Sequence, residues 1–310
     1  MSLYSRKMMV TTQLSLVALM LFLAACSKPA QPSAKTFASP DDAGSALLAA
    51  AKSGDQNALL AIFGPGSKEI IFSGDSVQDK NVVDAFVAAY GTMHRYRKMP
   101  DNAQILIVGA DNFPFPIPLK KNNAGQWYFD TAAGKEEILS RRIGRDENAA
   151  IDVSAALADA QAEYFSQKHD GVKQYAQKFI SDPGKQNGLY WESAEGQPRS
   201  PVGPLVAFAT DEGYNLKSGA HQAFHGYYFR ILDKQGPDAK GGAKNYIVNG
   251  KMTGGFAYIA YPATYNDTGV MTFIIDQNRA VYQKNLGKDT ADLAKAIAEF
   301  NPDKSWTVVQ

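Results

Sequence analysis

The chain has 310 residues, which is enough for two hydrophobic cores. Hydrophobic residues make up 45% and charged residues 20%, as in ordinary globular proteins, and the formal net charge of +1 gives no electrostatic reason to expect nucleic acid as a partner. There is one cysteine, Cys26, so an intramolecular disulfide and a cysteine-based metal cluster are both excluded.

The first 25 residues have the layout of an export signal. Arg6 and Lys7 form a basic start, and Leu14–Leu23 is an apolar run that is short for a transmembrane helix. The segment ends in Leu-Ala-Ala-Cys, which resembles a bacterial lipobox. The resemblance implies cleavage before Cys26 and lipidation of that residue. An ordinary secretory signal and a signal anchor are the alternatives.

We therefore expect acyl chains on Cys26 to anchor the protein in the membrane. Ser27 follows the cysteine, which resembles the pattern that sorts Gram-negative lipoproteins to the outer membrane, so we expect a location on its periplasmic face. Residues 26–37 are small, polar and proline-containing, and they predict a flexible tether.

Residues 38–134 are predicted to form a small α+β domain. Capping residues begin helices at Ser39 and Asp55, and a third helix is expected from Asp79 or Asn81. A strand is considered at Glu69–Phe72. Further strands are expected at Gln104–Val108, Phe115–Leu119 and Trp127–Asp130. The second of these runs is rich in proline and is therefore placed at a sheet edge.

Residues 135–310 are predicted to form a second domain, in which a long helix crosses an antiparallel β-meander. Helical periodicity extends over Ala133–Gln167, and Gly144 is considered as a kink or break. The inward face is assigned to Ile151, Ala155, Ala158, Ala162 and Phe165. Strands are expected at Tyr227–Leu232, Asn245–Asn249, Phe256–Tyr261, Val270–Ile275 and Ala280–Gln283. The fold class is therefore α+β.

A charged cluster lies where the two predicted domains meet. Arg141, Arg142 and Arg145 are followed by Asp146 and Glu147 on the long helix. An interdomain ion-pair network is the favoured interpretation, because charge runs on helices are usually solvated or paired. An anion or ligand pocket that also includes His225 is the alternative.

Patterns that would identify a reaction are missing from the sequence. His221 and His225 have the i, i+4 spacing of helical zinc ligands, but glycines flank them and a strand is expected to follow, so neither a metal nor another cofactor is predicted. Nucleophile elbows, Walker loops and dinucleotide fingerprints are absent, and no catalytic residue is assigned.

Two family resemblances complete the prediction. Five segments are together similar to the uncharacterised bacterial family catalogued as domain of unknown function twenty-nine fifty: Trp127–Leu139, Arg141–Glu147, His225–Leu232, Val248–Met252 and Gly255–Ala257. That resemblance implies a cell-envelope protein with no assigned reaction. The long helix followed by the aromatic strands also resembles the globular part of type IV pilins and pseudopilins, which implies a helix packed across a meander.

These observations predict a cell-envelope lipoprotein that is a non-enzymatic binding or assembly module, with an envelope protein as its expected partner. An envelope hydrolase or transferase with a site at the domain junction is the alternative.

Overall fold

A computed structural model describes residues 33–216 and 222–309. Cys26, the signal pattern before it, most of the predicted tether and His221 lie outside the described residues. None of the helices within the described ranges has the length and apolar content needed to cross a bilayer.

The described chain begins with four helices, three of which start directly after a capping side chain. They are α1 (Pro40–Ser53), α2 (Gln56–Phe63), α3 (Lys68–Ile71) and α4 (Ser76–Thr92). Ser39 accepts a hydrogen bond from the Asp42 amide, and Asp55 caps α2. Asp75 caps α4, four residues before Asp79 and six before Asn81, the two predicted starts. The strand considered at Glu69–Phe72 is wrong, because most of this run forms α3. Its apolar residues are too few for periodicity to separate helix from strand.

The first sheet is antiparallel and packs against these helices. Its strands are β1 (His94–Lys98), β2 (Gln104–Val108), β3 (Phe113–Pro114), β4 (Leu119–Lys121) and β5 (Trp127–Phe129), in the order β1-β2-β4-β5 with β3 also paired to β2. The predicted strand Phe115–Leu119 is mostly irregular, because its prolines lack the donors that a ladder needs. A hydrophobic core lies between this sheet and the helices, with Leu106 and Leu119 completely buried.

Helix α5 (Thr131–Ser166) links the two halves of the described chain and is continuous through Gly144. Its first turns pack on the N-terminal half, and its later turns pack on the C-terminal sheet. The predicted inward face is confirmed at Ala158 and wrong at Ala162, which is exposed, while Ile151, Ala155 and Phe165 are half-buried. The fully buried stripe includes Ala150, Val153, Ser154, Leu157, Gln161 and Tyr164. Periodicity alone favours the alanine-rich stripe, but Ser154 and Gln161 can be buried because backbone groups satisfy their hydrogen bonds.

The second sheet is an antiparallel meander that α5 crosses. Its order is β16 (Thr307–Val308), β15 (Val281–Asn285), β14 (Met271–Asp276), β13 (Ala257–Pro262) and β8 (Tyr227–Leu232). Four of the five expected strands are present. The run Asn245–Asn249 is instead divided between small hairpins outside this sheet. Ala150 packs with Tyr227, Ala260 and Phe273 where α5 crosses the sheet.

Short elements complete the C-terminal half. They are β6 (Lys168–His169), β7 (Val172–Lys173), α6 (Gly203–Glu212), β9 (Lys234–Gln235), β10 (Lys244–Asn245), β11 (Ile247–Val248), β12 (Lys251–Met252) and α7 (Thr290–Ala296). The larger of the C-terminal hydrophobic clusters is rich in tyrosine and includes Tyr246 and Tyr258, both completely buried. The described chain is therefore a mixed fold of helices and antiparallel sheets, as predicted.

Candidate functional site

The middle of α5 carries a cluster of polar side chains. This cluster lies at the junction, where the N-terminal and C-terminal halves of the described chain meet. Arg142 is the most enclosed of its arginines, with 6% of the side chain exposed. One guanidinium nitrogen, Nη1, forms an ion pair with Asp267 in the loop before β14, and Nη2 donates to the carbonyl of Ile70 at the end of α3. This arginine therefore joins α3, α5 and the β13–β14 loop.

Glu147 binds the same loop as Arg142. Its Oε1 accepts hydrogen bonds from the backbone amides of Val270 at 2.9 Å and Met271 at 3.0 Å. A carboxylate that accepts two amide bonds fixes the position where β14 begins. Glu147 consequently holds the meander to α5.

Asp146 lies in the centre of the cluster and is completely buried. Its Oδ1 accepts hydrogen bonds from Gln78 Nε2 and Arg145 Nε, each at 3.1 Å, while Arg145 Nη2 donates to Gln78 Oε1 at 2.8 Å. Oδ2 has no hydrogen-bond partner among the described residues. Burial raises the pKa of Asp146 to about 6, although the positive charge of Arg145 acts in the opposite direction.

The raised pKa predicts a pH-dependent effect of Asp146→Asn. Asp146 has an ordinary pKa of 3.8 in the unfolded chain, so between 3.8 and about 6 the folded state binds more protons, and its stability falls as pH rises. Removing the carboxyl group removes this contribution. We expect the stability of the variant relative to wild type to increase by about 2–3 kcal/mol between about pH 4 and pH 7.

Denaturant unfolding of both proteins at each pH measures this difference, and comparison with wild type cancels the other titrating carboxyl groups. Asp84→Asn is the matched control, because Asp84 is exposed and its ion pair, to Lys80, lies on the surface of its own helix. A difference between Asp146→Asn and wild type that does not change with pH would contradict the raised pKa.

His225 lies in a tight turn that leads into β8. His225 and Gly226 both have positive φ values, 48° and 72°, and Phe224 and Tyr227 exchange both backbone hydrogen bonds around them. This geometry corresponds to a two-residue type I′ turn. His225 Nδ1 lies 3.4 Å from Gln78 Nε2, and Nε2 lies 3.0 Å from Glu212 Oε2 of α6, at ion-pair distance but outside hydrogen-bond geometry.

Arg141 points away from this cluster towards the N-terminal half. Its Nε donates to Glu137 at 2.6 Å, its Nη1 donates to the Pro114 carbonyl at 2.8 Å, and the guanidinium lies 4.6 Å from the centre of the Phe113 ring. The structure thus places Arg142, Arg145, Glu147 and His225 at the junction and separates Arg141 from them. Within residues 33–216 and 222–309, no three His, Cys, Asp or Glu side chains converge as metal ligands would.

Next to the cluster lies a cavity of about 460 Å³, enclosed by the N-terminal helices, the first sheet and α5. Its walls are mainly apolar, and Arg141, Arg142 and Arg145 all contribute to its lining. The three arginines that the sequence singles out therefore share a cavity, even though they divide between two sets of polar contacts. Nothing in the sequence indicates this cavity, because its walls come from segments far apart in the chain.

Several residues of the junction are missing from the sequence-based prediction. Gln78 joins Asp146, Arg145 and His225, and Glu212 and Asp267 supply acidic partners. Gln78 gives no signal, since a glutamine near the start of a helix is usually solvated. The His225-Gly226 pair does give a signal. It stands directly before a predicted strand, and a glycine in that position indicates a tight turn.

Comparison with known proteins identifies one family. A family model described as "Protein of unknown function (DUF2950)" matches residues 34–309, which is nearly all of the described chain. The searches of curated proteins and of solved structures each found no match. The resemblance to pilins therefore gains no support from a solved structure.

Proposed function

The chain belongs to the DUF2950 family of proteins of unknown function, and we propose that it is a lipid-anchored cell-envelope protein that acts as a binding module. Lipidation of Cys26 would supply the anchor, on the periplasmic face of the outer membrane. The folded body would supply the binding surface, with a ligand or an envelope protein as its partner.

One observation favours binding over catalysis: Arg142 and Glu147, two of the charged groups at the junction, are engaged in holding the fold together. Arg142 binds Ile70 and Asp267, and Glu147 binds two amides of β14. A catalytic acid or base has to reach a substrate, whereas these groups are engaged with the protein itself. The neighbouring cavity, in contrast, has the volume and apolar lining of a ligand site.

The lipid anchor is tested on the full chain expressed in a Gram-negative bacterium. We expect the mature protein to begin at Cys26, to partition into the detergent phase, and to yield an N-terminal peptide whose mass includes acyl chains. Cys26→Ser should remove the acyl mass and the detergent partitioning. A wild-type protein that remains in the aqueous phase without acyl chains would overturn the anchor.

A second candidate function is an envelope hydrolase or transferase, and Asp146 is the observation in its favour. A buried carboxyl group with a raised pKa, which shares the Gln78 amide with a histidine, is the kind of group that enzymes use for proton transfer. In a deletion strain with an envelope defect, Asp146→Asn should abolish complementation if Asp146 transfers a proton. The binding module requires that a folded Asp146→Asn protein complements as wild type does.

A further inference from the structure

Helix α4 has an apolar face that the rest of the protein covers only in part. Of its 17 residues, the structure buries only Gln78 and Tyr90. Val82, Val83, Phe86 and Ala89 line the cavity of about 460 Å³, and Phe86 and Ala89 also pack against the N-terminal core at its edge. An amphipathic helix normally buries such a stripe, so the empty space in front of it suggests an external occupant.

The walls and the rim of the cavity have different exposures. Leu47, Leu59 and Phe63 form a closed apolar wall, each at most 5% exposed. Val82 and Phe113 also line the cavity but are 48% and 52% exposed, so the opening to solvent is apolar as well. Exposed large apolar residues around a cavity commonly mark a binding site, and the volume falls within the usual range for small-molecule sites.

The charged groups of the lining favour an anion. Among residues 33–216 and 222–309 they are Arg141, Arg142, Arg145 and one acid, Asp79, whose two oxygens already accept hydrogen bonds from Ser73. The acids that pair with the three arginines, Glu137, Asp267 and Asp146, are not part of the lining. A ligand in the cavity would therefore face three guanidinium groups and one carboxylate.

Two of these arginines keep a free donor for a ligand. Both Nη atoms of Arg142 are engaged, but Arg141 Nη2 and Arg145 Nη1 donate to no other residue in the described parts of the chain. Arg141 and Arg145 are one helical turn apart on α5 and are 31% and 43% exposed. Guanidinium groups in this arrangement can bind a carboxylate from solvent.

We propose that this cavity binds a single-chain amphiphile with an anionic head group, of the long-chain fatty-acid class. The hydrocarbon chain lies against α4 and the closed wall of Leu47, Leu59 and Phe63. The carboxylate lies at the rim and accepts hydrogen bonds from Arg141 and Arg145. This inference rests on the proposed role as a binding module and names the ligand of that module.

The test uses the full chain reconstituted in nanodiscs of zwitterionic phospholipid, with empty nanodiscs as the blank. The probe is cis-parinaric acid, a fatty acid whose fluorescence rises in apolar surroundings, and palmitate and hexadecanol are the competitors. We expect saturable binding of the probe, and we expect palmitate to displace it at a concentration about tenfold lower than hexadecanol, which lacks the charged head.

Two variants of α4 provide a matched comparison. Ala85 and Ala88 are both exposed residues of the same helix, but only Ala85 lines the cavity. Ala85→Trp should fill the space and weaken probe binding by about tenfold or more, while Ala88→Trp should leave binding unchanged. Arg141→Gln should reduce the advantage of palmitate over hexadecanol by several-fold, because one carboxylate partner is lost.

The results separate this inference from the proposed anchor. If wild type shows no saturable binding, if Ala85→Trp binds as well as Ala88→Trp, or if palmitate and hexadecanol compete equally, the fatty-acid site is overturned. A chain whose Cys26 peptide lacks the acyl mass is assayed in solution without nanodiscs, so each of these outcomes can be obtained with or without the anchor. Saturable probe binding by a chain that lacks that mass would overturn the anchor and leave the site intact.

Discussion

Replacing Arg142 with methionine is expected to lower the free energy of unfolding by about 3–5 kcal/mol. The side chain is buried and binds both the Ile70 carbonyl and the Asp267 carboxylate. Methionine retains much of the apolar contact but supplies no hydrogen-bond donor. The large cost arises because a carbonyl and a carboxylate lose their partner in a poorly solvated place.

Urea unfolding at neutral pH measures this loss, and Lys80→Ala is the control. Lys80 pairs with Asp84 on the surface of α4 with 73% of its side chain exposed, so its removal should cost less than about 0.5 kcal/mol. The double variant Arg142→Met, Asp267→Asn should regain part of the loss, because no unpaired carboxylate remains. A loss of less than about 1 kcal/mol for Arg142→Met would show that this arginine does not hold the junction together.

Replacing Gly226 with alanine is expected to destabilise the protein by about 2–4 kcal/mol. Two costs add at this position. The φ value of 72° lies in the left-handed region, which costs an alanine about 1 kcal/mol. A Cβ atom would also lie 2.8 Å from Asp146 Oδ2 and 2.8 Å from Thr268 Cβ, so the buried centre of the junction would have to move.

Gly250→Ala separates these two costs. Gly250 has a φ of 76° and follows Asn249 in another turn whose two central residues have positive φ, but a Cβ there would meet nothing within 4 Å. This variant should therefore lose only about 1 kcal/mol, the backbone part. Thermal unfolding of both variants measures the difference. Equal losses would show that the contact of Gly226 with Asp146 and Thr268 places no limit on the size of the residue there.

The two predictions concern one packing arrangement. The turn at His225-Gly226 comes close to Asp146, and the loop that contains Asp267 and Thr268 is held by Arg142 and Glu147. The middle of α5 thus lies against the turn before β8 and against the β13–β14 loop. Arg145 also contacts Asp146 and Gln78, so a fatty acid bound at Arg145 would be linked to this packing arrangement.

The sequence by itself predicted the local elements whose causes are local. Ser39 and Asp55 fix the starts of α1 and α2, because a side-chain oxygen at the cap satisfies a free amide whatever lies farther away. Four meander strands followed from β-branched and aromatic runs between turn residues. The family was predicted as well, since its motifs are contiguous segments of the chain.

Only the tertiary structure decided which groups meet. The inward stripe of α5 differs from the alanine-rich face because Ser154 and Gln161 find backbone partners that no helical periodicity reveals. Gln78 joins Asp146 and His225 across 68 and 147 residues of sequence. The cavity between α4 and the first sheet likewise exists because distant segments come together without filling the space between them. Local patterns specify what each segment prefers, whereas long-range packing specifies what it contacts.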